Sequence, residues 1–121
     1  MSDRICLIVD DEPAIRTFLR ELLEQRQFQI LEADCAASAL KIVKALGDRL
    51  ALIVSDIRMP GDMDGLDLAY SVRNALPAIP VILISGFCDK HPDNNPGFEF
   101  ISKPFAPEAI LKAIDGALNP R

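Results

Sequence analysis

The stretch Leu7–Pro13, "LIVDDEP", runs three apolar residues directly into three carboxylates and a proline. A short apolar run indicates a buried strand, and proline is favoured in the first turn of a helix. The stretch therefore predicts a strand that ends at an acidic cluster and is followed at once by a helix. Because neighbouring carboxylates repel one another and lose charge, Asp10 and Asp11 require a compensating cation.

The same alternation of apolar strand and helical segment continues along the chain. The apolar runs of strand length are Ile5–Val9, Gln29–Glu32, Leu50–Ser55, Val81–Ser85 and Phe98–Ser102. Between most of them, and again from about Pro107 to Leu118, apolar residues recur with helical spacing. Because the strands are apolar throughout rather than at every second residue, they favour a parallel sheet covered on both faces. The prediction is one α/β domain over residues 1–121, without internal repeats or linkers.

Three local details follow from the types of residue at the ends of these segments. Asp34 is predicted to cap the second helix. In the loop "MPGDMDG" (residues 59–65) Gly65 is predicted to serve a tight turn, and its aspartates receive no metal role. The segment 87–97, "FCDKHPDNNPG", is polar and contains two prolines, so a fourth helix there should be short or irregular.

The composition excludes several classes of function. The chain has 121 residues, enough for one domain with a core but too few for two. Its net charge of −5, without a run of Lys or Arg, argues against direct binding to nucleic acid. No apolar run reaches the roughly 18 residues of a membrane span, and the acidic N-terminal segment does not resemble a signal peptide. The expected location is cytoplasmic.

Polar side chains lie at the ends of four of the five predicted strands. Asp10 and Asp11 follow the first strand, Asp56 the third, Ser85 ends the fourth, and Lys103 follows the fifth. Ligands bind open parallel sheets at the carboxyl ends of the strands, so these side chains should converge. All-oxygen ligands suit Mg²⁺. With Mg²⁺ present, Asp56 could act as a nucleophile toward a phosphoryl group, while Lys103 holds one of its oxygens.

Four motifs in this order resemble those of the response-regulator receiver domain of two-component signalling. They are "VDDE" after the first strand, "VSDIRMPGDMDG" around the third, "LISG" at the fourth and "ISKPF" at the fifth. The resemblance covers essentially the whole chain. It implies a flavodoxin-like (βα)5 three-layer sandwich with a parallel five-stranded sheet of order 2-1-3-4-5.

The resemblance also implies roles for individual residues. Asp11 would bind Mg²⁺ directly, and Asp10 would assist through a water molecule. Asp56 would accept the phosphoryl group and also bind the metal, together with the backbone carbonyl of Arg58. Ser85 would donate a hydrogen bond to the phosphoryl group, and Lys103 would pair with it. The implied donor is a histidine kinase or a phosphotransfer protein, and phosphorylation would switch binding to an output partner or domain. Such a module is not an enzyme beyond its own phosphorylation and dephosphorylation.

Three alternatives remain open from the residues alone. Asp10 and Asp11 could merely cap the helix that begins at Pro13. The chain could be a receiver-like binding module that is never phosphorylated in vivo. It could also be a Mg²⁺-dependent aspartyl phosphohydrolase resembling the haloacid-dehalogenase family, but that family needs a second Asp two residues after the nucleophile. Asp10 is followed at that distance by Glu12, and Asp56 by Arg58.

Overall fold

The sheet has the predicted parallel order. In the computed structural model, which describes residues 4–86, 98–103 and 105–118, five strands form one sheet of order β2-β1-β3-β4-β5. The strands are Ile5–Val9 (β1), Gln29–Ala33 (β2), Leu50–Asp56 (β3), Val81–Ser85 (β4) and Phe98–Ser102 (β5). All neighbouring strands are parallel, which confirms the predicted flavodoxin-like topology.

Helices cover both faces of this sheet. They are Pro13–Glu24 (α1), Ala36–Leu46 (α2), Gly65–Ala75 (α3) and Pro107–Leu118 (α4), and a short 3₁₀ helix spans Gly47–Arg49. None of the described helices is both long enough and apolar enough to cross a membrane. The segment 87–97, for which a short or irregular helix was predicted, lies outside the described residues.

Each central strand sends side chains into two separate cores, which explains why its sequence is apolar throughout. Leu7 and Val9 of β1 pack into the core beneath α2 and α3, whereas Cys6 and Ile8 pack into the core beneath α1 and α4. All four side chains are fully buried. A strand buried on both faces cannot alternate with polar residues, so it reads as one continuous apolar run.

Two strands and one helix start or end differently from the prediction. β2 continues to Ala33 and β3 to Asp56, one residue further than predicted in each case. Because β2 is longer, α2 begins later, and the residue at its N-cap is Cys35 rather than Asp34. No side chain caps this helix, so the predicted capping role of Asp34 is wrong.

The start of α3 shows that Gly65 is required for a close approach, not for a turn. Asp64 is the N-cap of α3 and forms a capping box with Asp67: the Asp64 side chain accepts a hydrogen bond from the Asp67 amide, and the Asp67 side chain accepts one from the Asp64 amide. Within the loop of residues 59–65, the glycine with a left-handed backbone is Gly61, with φ at 107°. A Cβ atom on Gly65 would lie 1.9 Å from the backbone oxygen of Asp56. Only glycine lets the first turn of α3 pack this closely on the end of β3.

Candidate functional site at the carboxyl ends of the strands

Hydrogen bonds of the sheet type continue just past the strand ends and position the predicted site residues. They run from the amide of Asp10 to the carbonyl of Ala33 (3.1 Å), from Ile57 to Ile84 (3.0 Å) and from Lys103 to Ser85 (2.8 Å). In addition, the register of β1 and β3 pairs Val9 with Ser55, so the next residues of the two strands, Asp10 and Asp56, lie beside each other. The backbone of the site is thus fixed by the sheet rather than by loops.

The structure brings three of the predicted metal ligands together. Asp10, Asp11 and Asp56 each offer one carboxylate oxygen, and these oxygens all lie within 4.8 Å of one another. Asp10 is fully buried and Asp56 is 4% exposed, whereas Asp11 is open to solvent. In the described part of the chain no other group of three or more metal-type side chains is this close. Three negative charges at this distance require a cation to be stable together.

Lys103 supplies one positive charge to this cluster. Its Nζ donates a hydrogen bond to Oδ2 of Asp56 over 3.2 Å. Burial raises the pKa of Asp56, while the charge and hydrogen bond of Lys103 and a backbone hydrogen bond from Arg58 oppose that rise. For Lys103 itself, burial lowers the pKa, but the charge and hydrogen bond of Asp56 and the charges of Asp10 and Glu12 together outweigh this effect, so the pKa is raised overall. The ammonium group therefore stays charged beside the carboxylate.

Asp10 has one carboxylate oxygen in use and one without a partner. Oδ1 accepts a hydrogen bond from the amide of Glu12 over 2.9 Å, a local contact that precedes α1. It is not the helix cap considered as an alternative role, because the N-cap of α1 is Glu12 and no side-chain cap is formed there. Oδ2 is buried, and none of the described residues gives it a hydrogen bond. Burial raises the pKa of Asp10 to about 6; the Glu12 amide opposes the rise and the Asp56 charge adds to it. A buried, unpaired oxygen on a carboxylate that clusters with two others fits a hard divalent cation such as Mg²⁺.

Of the other two predicted site residues, one ends the strand beside β3 and the other lies just past the end of β3. Ser85 ends β4 and is 2% exposed, and Arg58 follows Asp56 by two residues. The backbone of Arg58 contacts the Asp56 carboxylate. The hydrogen bond of Ser85 to a phosphoryl group and the metal contact of the Arg58 carbonyl remain predictions.

Sequence reasoning missed Arg16, which contacts the site from outside and is held there by Glu32. Arg16 of α1 donates a 2.6 Å hydrogen bond from a terminal guanidinium nitrogen to the backbone oxygen of Asp10. Its Nε bonds Glu32 of β2 over 3.0 Å. A sequence signal existed: Arg16 and Arg20 are spaced four residues apart on the predicted first helix, and an acid occupies the neighbouring strand. The contact of Arg16 with the backbone carbonyl of Asp10 leaves no trace in the sequence.

Comparisons with known proteins agree with this geometry. The family model described as "Response regulator receiver domain" matches residues 6–115. The sensor kinase CckA of Brucella abortus (strain 2308) is 36% identical over 117 residues, which cover 93% of this chain and 12% of the kinase. The crystal structure of the receiver domain from the hybrid histidine kinase CckA has 31% identity and a TM-score of 0.79, and the match covers 96% of this chain and 99% of that one.

A second solved structure resembles the chain even more closely in shape. It is a response regulator receiver domain protein from Clostridium thermocellum, with a TM-score of 0.84, 26% identity and coverage of 96% of this chain and 94% of that one. The curated relatives are mostly much longer, since the match spans 12% of CckA and 49% of the regulator SrrA of Staphylococcus aureus (strain NCTC 8325 / PS 47).

Proposed function

Because the chain belongs to the response-regulator receiver family, we propose that it accepts a phosphoryl group on Asp56 with the help of Mg²⁺. Domains of this family are signalling modules, and the relatives of this chain are response regulators and sensor kinases. The observation that carries the proposal is the position of Asp56. It is a nearly buried carboxylate at a strand end, 3.2 Å from the Lys103 ammonium and within 4.8 Å of two further carboxylates.

The proposed donor is a phosphohistidine on a histidine kinase or a phosphotransfer protein. A carboxylate oxygen of Asp56 attacks the phosphorus atom, the P–N bond breaks, and its electron pair leaves with the imidazole. The product is an acyl phosphate on Asp56. Lys103, now paired with Asp56, would transfer its hydrogen bond to a phosphoryl oxygen, and the Ser85 hydroxyl would bond another. Attack by water on the acyl phosphate would later return the free carboxylate and inorganic phosphate.

The residues that would hold Mg²⁺ are Asp10, Asp11, Asp56 and the backbone carbonyl of Arg58. The unpaired Oδ2 of buried Asp10 supports this set. A bound Mg²⁺ supplies positive charge that offsets both the carboxylate repulsion and the charge on the phosphoryl oxygens. We further propose that residues 1–121 form one receiver domain and that its phosphorylation switches binding to an output partner or domain.

Incubation with Mg²⁺ and acetyl phosphate, followed by intact-mass measurement, tests the proposal. The wild-type chain should gain one phosphoryl group, and Asp56→Asn should gain none while keeping its circular dichroism spectrum. Asp62→Asn is the matched control, because it removes the same charge from an exposed loop residue outside the cluster.

The three candidate functions give different results in this experiment. A stable adduct that depends on Asp56 supports the receiver. Release of phosphate over many turnovers without a lasting adduct supports the phosphohydrolase. An unchanged mass supports the binding module that is never phosphorylated, and an adduct of the same yield on Asp56→Asn contradicts the assignment of the acceptor.

A further inference from the structure

The main chain at Asp10 is held from three directions. Its amide donates to the carbonyl of Ala33 over 3.1 Å, and its side-chain Oδ1 accepts from the amide of Glu12 over 2.9 Å. Its backbone oxygen accepts the 2.6 Å hydrogen bond from Arg16. The first two contacts are local or belong to the sheet. The third comes from a side chain six residues away on α1, so it can be removed without changing the strand.

The carbonyl that Arg16 binds belongs to the peptide unit that joins Asp10 to Asp11. A peptide unit is planar, so the hydrogen bond from Arg16 to its oxygen also fixes the orientation of the Asp11 amide and the position of the Asp11 Cα atom. Asp11 is the exposed member of the carboxylate cluster. An exposed side chain is not positioned by packing, so its place depends on the backbone beneath it.

Arg16 is itself held in place. Its Nε bonds Oε1 of Glu32 over 3.0 Å, and its side chain is only 19% exposed. The other oxygen of Glu32 accepts from Nε of Arg20 over 2.8 Å. Glu32 lies on β2 and pairs with Ile8 of β1, so the anchor is part of the sheet. Glu32 and Glu24 together balance the charges of Arg16 and Arg20, so the Arg16 guanidinium acts on Asp10 mainly through geometry.

We propose that Arg16 is a positioning residue for the metal site: it orients the Asp10–Asp11 peptide and thereby sets the affinity for Mg²⁺. This inference rests on the proposed function, because it assumes that the carboxylate cluster binds the ion. Arginine is required, since its planar group presents Nε to Glu32 and a terminal nitrogen to the carbonyl at the same time. A lysine keeps the charge but has a single nitrogen to bond two separated oxygens.

Isothermal titration of the chain with MgCl₂ tests the proposal in the wild type, Arg16→Lys and Arg20→Lys. Arg20→Lys is the matched control: it lies one turn further on the same helix, bonds the same Glu32 and makes no described contact with Asp10. Loss of a residue that orients metal ligands costs about tenfold or more in metal affinity. We expect a loss of that size in Arg16→Lys and unchanged affinity in Arg20→Lys.

Wild-type affinity in Arg16→Lys overturns the proposal, and so does an equal loss in both variants, which would point to general loosening of the ion pairs. If Arg16→Lys does not fold, Glu32→Gln replaces it, because this change weakens the anchor of Arg16 and should also weaken Mg²⁺ binding. Wild-type affinity in that variant overturns the proposal too.

A wild-type chain that binds no Mg²⁺ would refute the proposed metal site. The orientation of the Asp10–Asp11 peptide by Arg16 would then be tested by NMR of the metal-free protein. The amide resonance of Asp11 should shift in Arg16→Lys and stay in place in Arg20→Lys. The opposite pattern would show that Arg16 does not orient this peptide.

Discussion

At the scale of single residues, Asp10 carries an ionisable group into the interior with one oxygen unpaired. Removing its charge should therefore stabilise the metal-free fold. We expect Asp10→Asn to raise the free energy of unfolding in EDTA at pH 7 by on the order of 1 kcal/mol, since each unit of pKa shift corresponds to about 1.4 kcal/mol. Urea unfolding measures this. Asp11→Asn is the control, because Asp11 is exposed and should gain less.

The pH dependence gives a second test of the same residue. The pKa of Asp10 is raised from 3.8 to about 6 in the folded chain. Between these values the folded state holds a proton that the unfolded state has lost, so stability falls as the pH rises. The advantage of Asp10→Asn should thus be absent below about pH 4, grow up to about pH 6 and then stay constant. An advantage that is the same at every pH would contradict this explanation.

At the scale of an element, the first turn of α3 is built against the end of β3. Gly65→Ala should destabilise the fold by about 1–3 kcal/mol, because the new methyl group would overlap the backbone oxygen of Asp56. The natural control is Gly116→Ala in α4, where none of the described atoms lies within 4 Å of the added Cβ. That change should stabilise by about 0.5–1 kcal/mol, since alanine is the better helix former.

Urea unfolding shows directly whether each of the two substitutions raises or lowers the free energy of unfolding. Helix propensity alone predicts that both substitutions stabilise the chain. If Gly65→Ala is as stable as the wild type or more so, the close approach of α3 to β3 does not exist in solution.

At the scale of the whole molecule, an ion that binds only the folded carboxylate cluster stabilises the entire domain. At a hundredfold excess of Mg²⁺ over its dissociation constant the gain is about 2.7 kcal/mol. We expect the thermal midpoint to rise with millimolar MgCl₂, to return to its starting value with EDTA, and to rise less in Asp11→Asn. A midpoint that does not respond to Mg²⁺ would contradict a metal site at this edge.

Whole-molecule features were also the easiest to predict from the sequence. Strands buried on both faces, such as Ile5–Val9, leave an unmistakable apolar run, and the strand-end position of the acids follows from the parallel order. Features that depend on contacts between backbone and distant residues were not predictable. The clash that a side chain at Gly65 would cause and the hydrogen bond from Arg16 to a carbonyl are both of this kind. The capping role was assigned to Asp34 instead of Cys35 because a sequence pattern does not locate the end of a strand to within one residue.

The close contact between Gly65 and Asp56 also makes the acceptor and α3 mechanically continuous. The amide of Gly65 also bonds the carbonyl of Ile57, the residue after β3, over 2.8 Å, so α3 is hydrogen-bonded to the chain just past the strand that it packs against. Since no side chain lies between Gly65 and the backbone of Asp56, a displacement of that backbone would also move the first turn of α3. Coupling between two sites is reciprocal, so a partner that binds α3 and shifts its first turn would also shift the backbone of Asp56.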